Sequence, residues 1–526
     1  LMTFKKYRGS PIAYWVSNAF KNIFKNNPLL GEKSIAKQGL ATGDNLKFAR
    51  IWSEVSVSKI SWNTKSCIET IDRIEKWFPY NKGGKFRKWY GNIEWVVNWY
   101  ENGKEIRNFK LPNGKLRSVI RNESFYFQGG ITWSDVTSGI LSVRYLDSGS
   151  IHDVSGHSAY PKIGKEQLLF VSYLNTKFAQ LVAKMLNPTL HFQIGDYLNF
   201  PYPIEFFNYD SSKISKECIS ISKSDWNSYE TSWDFTKLPL LSQEYRSNNL
   251  QNTYNSLRTH WQDITNEMMR LEEENNCIFI NAYGLQDELT PNVPIHQITL
   301  TSNPAYRYGK KVSIEVQEER LREDTMKEFI SYAVGCMFGR YALEEPGLIL
   351  ANQGETIEDY FQKVPSPSFM PDDDNIIPIL DDGWFDDDIT ERFRKFLRVT
   401  FGEEKFSENL RFIESALGKD IRRYFLKDFY KDHIQTYKKR PIYWQFSSPK
   451  ESFNVLIYMH RYNRDTVSVI LDKYLREFKV KLTSQKSTLE QTEISADTTQ
   501  VEKSKAMNEI QKINSTIEEL ETWERD

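Results

Sequence analysis

The sequence predicts a mixed α+β fold: an α/β region up to about residue 205, a mainly helical region after it, and a polar helical arm at the end. Three observations predict it. Residues 95–100 and 118–127 are β-rich runs bounded by turns rich in Asn and Gly. Beyond about residue 225 the apolar residues take helical spacing over long stretches, as in 250–275 and 324–341. In residues 482–526, Ile510, Ile513, Ile517 and Leu520 step by three and four through a background of Glu, Lys, Gln and Thr. That is the pattern of a solvated helix or coiled-coil arm.

Taken in order, residues 1–38 read as a helical connector centred on Ala13–Phe24. Residues 39–205 form the α/β domain, in which Asn102-Gly103 and Asn113-Gly114 suit hairpin tips. Within it, Glu166–Leu186 returns to helical periodicity, with Leu169, Phe170, Leu174, Phe178, Leu181 and Met185 on one broad face. Pro201 and Pro203 punctuate its end. Residues 206–475 form the mainly helical domain, crossed by a Pro- and Asp-rich connector at 345–390 and continuing through helices at Phe393–Leu397, Phe406–Leu417 and Ile421–Tyr437. Residues 476–526 are the arm.

Composition narrows the class. The chain has 526 residues, 40% hydrophobic and 26% charged, which is ordinary for a soluble globular protein. Cys67, Cys218, Cys277 and Cys336 are scattered without a CxxC pair, which argues against structural zinc or a disulfide framework and fits a reducing cytoplasm. No apolar run is long enough to span a bilayer, and no apolar signal core follows Leu1–Ser10. With a net charge of -1, any affinity for nucleic acid must come from a local patch.

Such a patch is present. Between Asp72 and Arg121 there are 12 cations and 5 anions, a local +7. Trp77, Phe78, Tyr80, Phe86, Trp89, Tyr90, Trp95, Trp99 and Tyr100 lie among them. Cations interleaved with flat rings suit a polyanion whose bases can also be touched. Arg87-Lys88-Trp89-Tyr90-Gly91-Asn92 is its densest stretch. The plainer alternative is a solvated basic face over an aromatic core. Upstream, Gly39-Leu40-Ala41-Thr42-Gly43-Asp44-Asn45 permits a tight turn with backbone N–H groups facing a phosphate, followed by Arg50; a simple loop is the competing reading.

Other motifs carry less. Asn303-Pro304-Ala305-Tyr306 is similar to the Asn-Pro-Pro-Tyr loop with which amino-methyltransferases hold a flipped adenine, but Ala305 replaces the second proline. No GxG occurs anywhere in the chain, so no dinucleotide fingerprint or P-loop accompanies it. A turn after a strand accounts for the tetrapeptide. The acidic group Asp372, Asp373, Asp374, Asp381, Asp382, Asp386, Asp387 and Asp388 offers carboxylates for a divalent metal, yet it straddles prolines as a loop does. Asp386–Asp388 also suits the first turn of a helix. His152 and His157 lack a third zinc ligand. Gly335 and Gly339 read as close helix packing.

Longer strings carry a family resemblance. Gly9–Ser17 (GSPIAYWVS), Gln38–Arg50 (QGLATGDNLKFAR), Phe86–Trp99 (FRKWYGNIEWVVNW), Gln193–Pro203 (QIGDYLNFPYP), Asp225–Phe235 (DWNSYETSWDF), Asn303–Gly309 (NPAYRYG), Ile330–Ala351 and Arg440–Tyr462 together resemble the C-terminal half of PglX-type adenine-specific DNA methyltransferases of BREX phage-defence systems. Gln193–Pro203 is also similar to the specificity domains of type I and type IIG restriction–modification enzymes.

The resemblance implies a target-recognition domain at 39–205 and a helical C-terminal domain. The S-adenosylmethionine loop and the true Asn-Pro-Pro-Tyr motif are expected in a half that this chain lacks. The chain alone is then expected to recognise double-stranded DNA in a sequence-specific way without methylating it, and to hold no cofactor or metal of its own. Lys85, Arg87, Lys88, Lys110, Arg117 and Arg121 are the expected contacts to phosphates or base edges. Thr42, Asn45 and Arg50 are expected beside them, Trp89 and Tyr90 as rings on the bases, and Asn92 and Gln128 as readers of adenine. Expected partners are duplex DNA, the methyltransferase half or other BREX components, and a phage DNA mimic. A protein-interaction scaffold, or a nuclease using the acidic connector, are the competing readings.

Overall fold

The structure, a computed structural model, describes residues 17–525 apart from 137–138, 163–165, 188, 203–208 and 496–497. Most of the Gly9–Ser17 string, and Pro203, therefore lie outside the described residues. The fold is mixed α+β, as the sequence predicts. Its contacts form two compact units that alternate along the chain: one runs up to Phe235 and includes Leu257–Leu321, the other is Thr236–Ser256 with Arg322–Asp526.

The first unit holds eight described strands: β1 (Ser34–Lys37), β2 (Ala49–Ile51), β3 (Trp77–Asn81), β4 (Trp95–Asn98), β5 (Gly130–Ser134), β6 (Val143–Leu146), β7 (Ile151–His152) and β8 (Gly156–Pro161). They make two four-stranded sheets, ordered β1-β8-β5-β6 and β2-β4-β3-β7. Every pairing is antiparallel except β3 with β7. The turn between β7 and β8 ties the sheets together. There the Asp153 carboxylate accepts from Tyr80, from Lys82 at 3.2 Å, and from the Ser155 backbone at 2.7 Å. A Cβ on Gly156 would stand 2.4 Å from the Asn81 carbonyl oxygen, so this close approach needs glycine.

Helices cover the first sheet. The single helix expected over Glu166–Leu186 is two, Gln167–Leu174 and Lys177–Leu186. Asn175 and Thr176 divide them. The Asn175 amide bonds both backbone groups of Val143 at 2.9 Å, and Thr176 caps the second helix through the Ala179 N–H. These helices share one core with Trp133 and Val143 of the sheet, with Ile214 and Cys218, and with Met268, Leu271 and Phe279. That shared core is why the compact unit runs well past the Pro201 edge: helices Tyr209–Asn227 and Leu250–Ala282 supply apolar surface that the sheet needs.

Asn102-Gly103 is not a hairpin tip. Glu101, Asn102 and Gly103 take left-handed conformations inside a helical segment, Tyr100–Arg107, with Gly103 against the Trp99 ring. Nor is 118–127 a strand; it makes an isolated bridge at Val119 and a short 3₁₀ turn, Glu123–Phe125.

The second unit contains a three-stranded antiparallel sheet ordered β10-β11-β9, from β9 (Ile376–Pro378), β10 (Tyr443–Ser447) and β11 (Asn454–Tyr458). The expected acidic connector thus contributes a strand, and a helix at Ile357–Lys363. Asp388 caps the helix Ile389–Phe401 by accepting from Thr390 at 2.9 Å. The terminal arm is a helical hairpin, Arg476–Ile494 and Gln500–Arg525, closed by Glu524 against Arg476 at 2.7 Å and against Lys479. Its Leu482, Ile513 and Leu520 are buried in one core with Phe453 and Val455, so the arm is docked along one face.

Candidate nucleic-acid interface

Two neighbouring segments of the first unit present free cations. The first is the glycine turn. Gly43 has φ +77°, and Asp44 caps a one-turn helix, Asn45–Phe48, that leaves Leu46 and Lys47 exposed. The second is a β-ribbon finger, residues 109–117. Lys110 bridges Leu116, Leu111 N–H donates to the Lys115 carbonyl at 2.8 Å, and Arg117 N–H to the Phe109 carbonyl at 2.9 Å. Pro112-Asn113-Gly114 turns the tip, with Gly114 at φ +82° and the Asn113 side chain accepting from Lys115 N–H at 3.1 Å. The Asn113-Gly114 tip is where the sequence places it.

The two segments are joined at their base. Ala41 and Val119 exchange both backbone hydrogen bonds at 2.8–2.9 Å. Phe48 packs edge-on to Phe109 at 5.1 Å, and Lys47 and Arg117 lie over the Phe109 ring at 4.9 and 5.5 Å. From Ile106 to Asn122 the sequence holds no Asp or Glu. Of the cations there, Arg107 is paired with Glu123, whereas Lys110, Lys115, Arg117 and Arg121 are exposed and make no ion pair with a described residue. The Arg121 guanidinium lies 3.5 Å from the Gln38 side-chain oxygen. Lys85 is exposed as well, on the Gly83-Gly84 turn.

The densest sequence motif lies elsewhere. Arg87 and Lys88 are 3% and 2% exposed, and Trp89 and Tyr90 are buried with them. Arg87 donates to Asp225 at 2.8 Å, to the Tyr90 carbonyl at 2.8 Å and to Thr301 at 2.9 Å, and lies over the Trp226 ring at 4.9 Å. Gly91 is required at that turn: its φ is +118°, and a Cβ would meet Arg87 Nε at 2.6 Å and Trp226 at 2.7 Å. Lys88 pairs with Glu272, whose other carboxylate oxygen accepts from the Trp89 indole at 2.8 Å. Behind them Arg144 is wholly buried; burial, then the nearby Arg87 charge, pushes its guanidinium down to about 10. Burial, then Asp147, holds the Tyr90 phenol well above its ordinary range.

The motif is therefore a staple between the sheets and the helices. The expectation that Arg87, Lys88, Trp89 and Tyr90 touch DNA is corrected: each is committed inside the unit. A buried cation is retained only when paired, and here the pairs exist. Three further expected residues are also tied. Thr42 is buried and donates to Asn45 at 2.8 Å; Asn92 is buried and donates to the Lys85 carbonyl at 2.9 Å. Arg50 is half-buried, donating to the Ala49 carbonyl at 2.8 Å and facing Glu54 at 4.0 Å. Gln128 is exposed and donates to the Ser124 carbonyl at 2.7 Å. Lys85, Lys110, Arg117, Arg121 and Asn45 keep exposed side chains. Sequence reasoning missed Lys47 as a member of the set, although its place one turn after Gly43 was the signal.

The other motifs resolve as structure. Asn303 caps the short helix Pro304–Arg307 through Ala305 N–H at 3.1 Å, and its amide donates to the Ile295 and Ile298 carbonyls at 2.8 Å. Tyr306 bonds the Phe86 carbonyl. The Asn303 side chain is thus engaged in capping and holding its own turn. The Asp372–Asp374 carboxylates lie within 4.8 Å of one another, but Arg392 faces Asp372 at 3.6 Å, Lys473 pairs with Asp374, and Arg461 donates to the Asp372 and Asp373 carbonyls. Burial pushes the Asp372 carboxyl up to about 7, against the pull of Arg392. The surrounding cations already balance this group. His152 and His157 are buried, and burial pushes the His152 imidazole down to about 4.

Fold and site together define a two-unit α+β protein whose first unit projects an acid-free, cation-rich ribbon, the surface expected of a protein that meets a polyanion. Comparison with known proteins gives its relatives. The chain is 37% identical over 533 residues to the adenine-specific methyltransferase PglX of Lacticaseibacillus casei (strain Zhang), covering 98% of this chain and 42% of that protein. It is 38% identical over 491 residues to the adenine-specific methyltransferase BrxX of Escherichia coli O9:H4 (strain HS), covering 90% of this chain and 39% of that one. The chain is thus related, over nearly all its own length, to PglX-type adenine-specific methyltransferases, and the resemblance read from the sequence holds. It spans about two fifths of the length of these curated relatives. No protein-family model matches it. None of its described helices is long and apolar enough to cross a membrane.

Proposed function

We propose that this chain is the DNA-recognising part of an adenine-specific methyltransferase, and that its first unit holds duplex DNA through the turn at 42–47 and the finger at 109–121. The observation that carries this reading is the set of exposed cations that make no ion pair with a described residue, on two joined segments: Lys47, Lys110, Lys115, Arg117 and Arg121, with no carboxylate between Ile106 and Asn122. Phosphate contacts from these groups supply affinity and register; base reading falls to the side chains they bring into a groove. In this reading S-adenosylmethionine, base flipping and methyl transfer to adenine belong to a catalytic part outside these residues, and recognition is sequence-specific.

The test is a salt titration of binding to duplex DNA by the chain and by a Lys110→Ala/Lys115→Ala/Arg117→Ala/Arg121→Ala variant. Each lost phosphate contact flattens the dependence of log affinity on log salt by about 0.9, so the variant is expected to lose about 3–4 from the slope. An unchanged slope overturns the proposal. Absence of any binding at low salt favours an interaction scaffold, in which other defence components or a phage DNA mimic occupy the same face.

A further inference from the structure

The finger carries more than charge. Leu111 and Leu116 are 37% and 58% exposed, and Leu46, on the adjoining turn, is 76% exposed. Single exposed leucines are ordinary on a protein surface. Two lie on a short ribbon that is otherwise basic, outside the apolar core beneath it. The register explains their arrangement. Lys110 pairs with Leu116, and one step toward the tip Leu111 lies opposite Lys115. Cross-strand partners share a face and successive residues alternate. Each face of the ribbon therefore presents one leucine and one lysine. Beyond them the tip is open: nothing lies within 4 Å of the position a Cβ on Gly114 would take.

A two-stranded ribbon is narrow enough for the major groove of B-form DNA. Apolar side chains placed against base steps partly unstack them, and flanking cations hold the backbone while they do so. We infer that the finger at 109–117 is a groove-entering wedge that sets the leucine of its base-facing side, Leu116 on one face or Leu111 on the other, against a base step of duplex DNA and loosens the stack there. The inference rests on the duplex-DNA reading above and deepens it. The lysines and arginines hold the duplex, and the base-facing leucine deforms it. Charge favours this occupant: the segment is uniformly cationic, and in duplex DNA stacked bases lie between two phosphate backbones.

The experiment uses the whole 526-residue chain and a duplex several turns long, rich in TA steps, which unstack most easily. Binding is read by fluorescence anisotropy, and stacking by permanganate oxidation of thymines at saturating protein. Three proteins are compared: the chain itself, Leu111→Ser/Leu116→Ser, and Ile74→Ser, an exposed isoleucine outside the finger. The expected result is a several-fold gain in thymine reactivity on binding, lost in the leucine double variant and kept in Ile74→Ser. The double variant is expected to bind within about tenfold of the original with the same salt slope, because its phosphate contacts are intact. Salt-dependent binding without a gain in reactivity, or a gain that survives in the leucine variant or falls equally in Ile74→Ser, overturns the wedge and leaves the DNA reading standing. No binding by the original chain overturns both. All three changes are at exposed side chains, and circular dichroism checks that the fold is kept.

Discussion

Replacing Lys88 by Met separates a structural staple from a DNA contact. Lys88 is buried against Glu272, and Glu272 also accepts from the Trp89 indole. Removing the ammonium leaves a buried carboxylate with one neutral donor. Breaking one partner of a buried pair costs about 3–5 kcal/mol, most of it the penalty of the charge left behind. With a urea m-value of about 3 kcal/mol/M, the unfolding midpoint falls by about 1–1.7 M. Lys88→Met/Glu272→Gln removes both charges while leaving an amide oxygen for Trp89, and most of the loss is expected to return. The assay is urea unfolding followed by tryptophan fluorescence, run beside DNA anisotropy in native buffer. Both variants are expected to bind DNA with the salt slope of the original chain. If Lys88→Met leaves the midpoint unchanged and lowers the slope by about 1, Lys88 meets a phosphate and the staple assignment is wrong.

Other consequences follow from the same geometry. Gly43→Val places a side chain at φ +77° within 2.8 Å of the Arg117 carbonyl oxygen; it is expected to cost about 1–3 kcal/mol, speed hydrogen exchange at Ala41 and Val119, and weaken DNA binding with them. Glu519 accepts from Lys450 N–H and from the Ser452 hydroxyl, both at 2.6 Å; Glu519→Ala is expected to cost about 1–3 kcal/mol and to raise exchange in the 450–453 turn before the rest of the second unit opens. The His152 imidazole is held near 4 by burial, against an ordinary 6.5. The unfolded chain therefore binds a proton first as pH falls, so this histidine's share of stability is complete above pH 6.5 and is lost down to pH 4. At 1.36 kcal/mol per unit that share is about 3 kcal/mol, and His152→Gln is expected to flatten the unfolding midpoint of the first unit across that window.

What the sequence made legible was local. The Asn113-Gly114 tip is read correctly because a two-residue signal and the residues it pairs, Lys110 and Leu116, lie within ten residues. The same dipeptide at Asn102-Gly103 misleads, since the Trp99 ring beneath Gly103 turns the left-handed residues into a helix start. The basic, aromatic segment was real, but its most conspicuous part is interior. The counter-charges of Arg87 and Lys88 stand 138 and 184 residues away, on helices that no local window connects to the motif. A charge count over Asp72–Arg121 therefore overstates what reaches solvent. The division of Glu166–Leu186 had a visible cue, Asn175-Thr176, a good capping pair in the middle of an apolar face. The docking of the C-terminal hairpin had none beyond its period, because Leu482, Ile513 and Leu520 fill a core built by strands in another part of the chain.

The central claim is that the turn at 42–47 and the finger at 109–121 meet DNA while Arg87–Tyr90 does not. It is tested most directly by photocrosslinking the chain to duplex DNA substituted with halogenated deoxyuridine and mapping the linked peptides by mass spectrometry. The account predicts adducts in peptides spanning 42–47 and 109–121. Adducts concentrated at Arg87–Tyr90, or confined to the second unit, would contradict it.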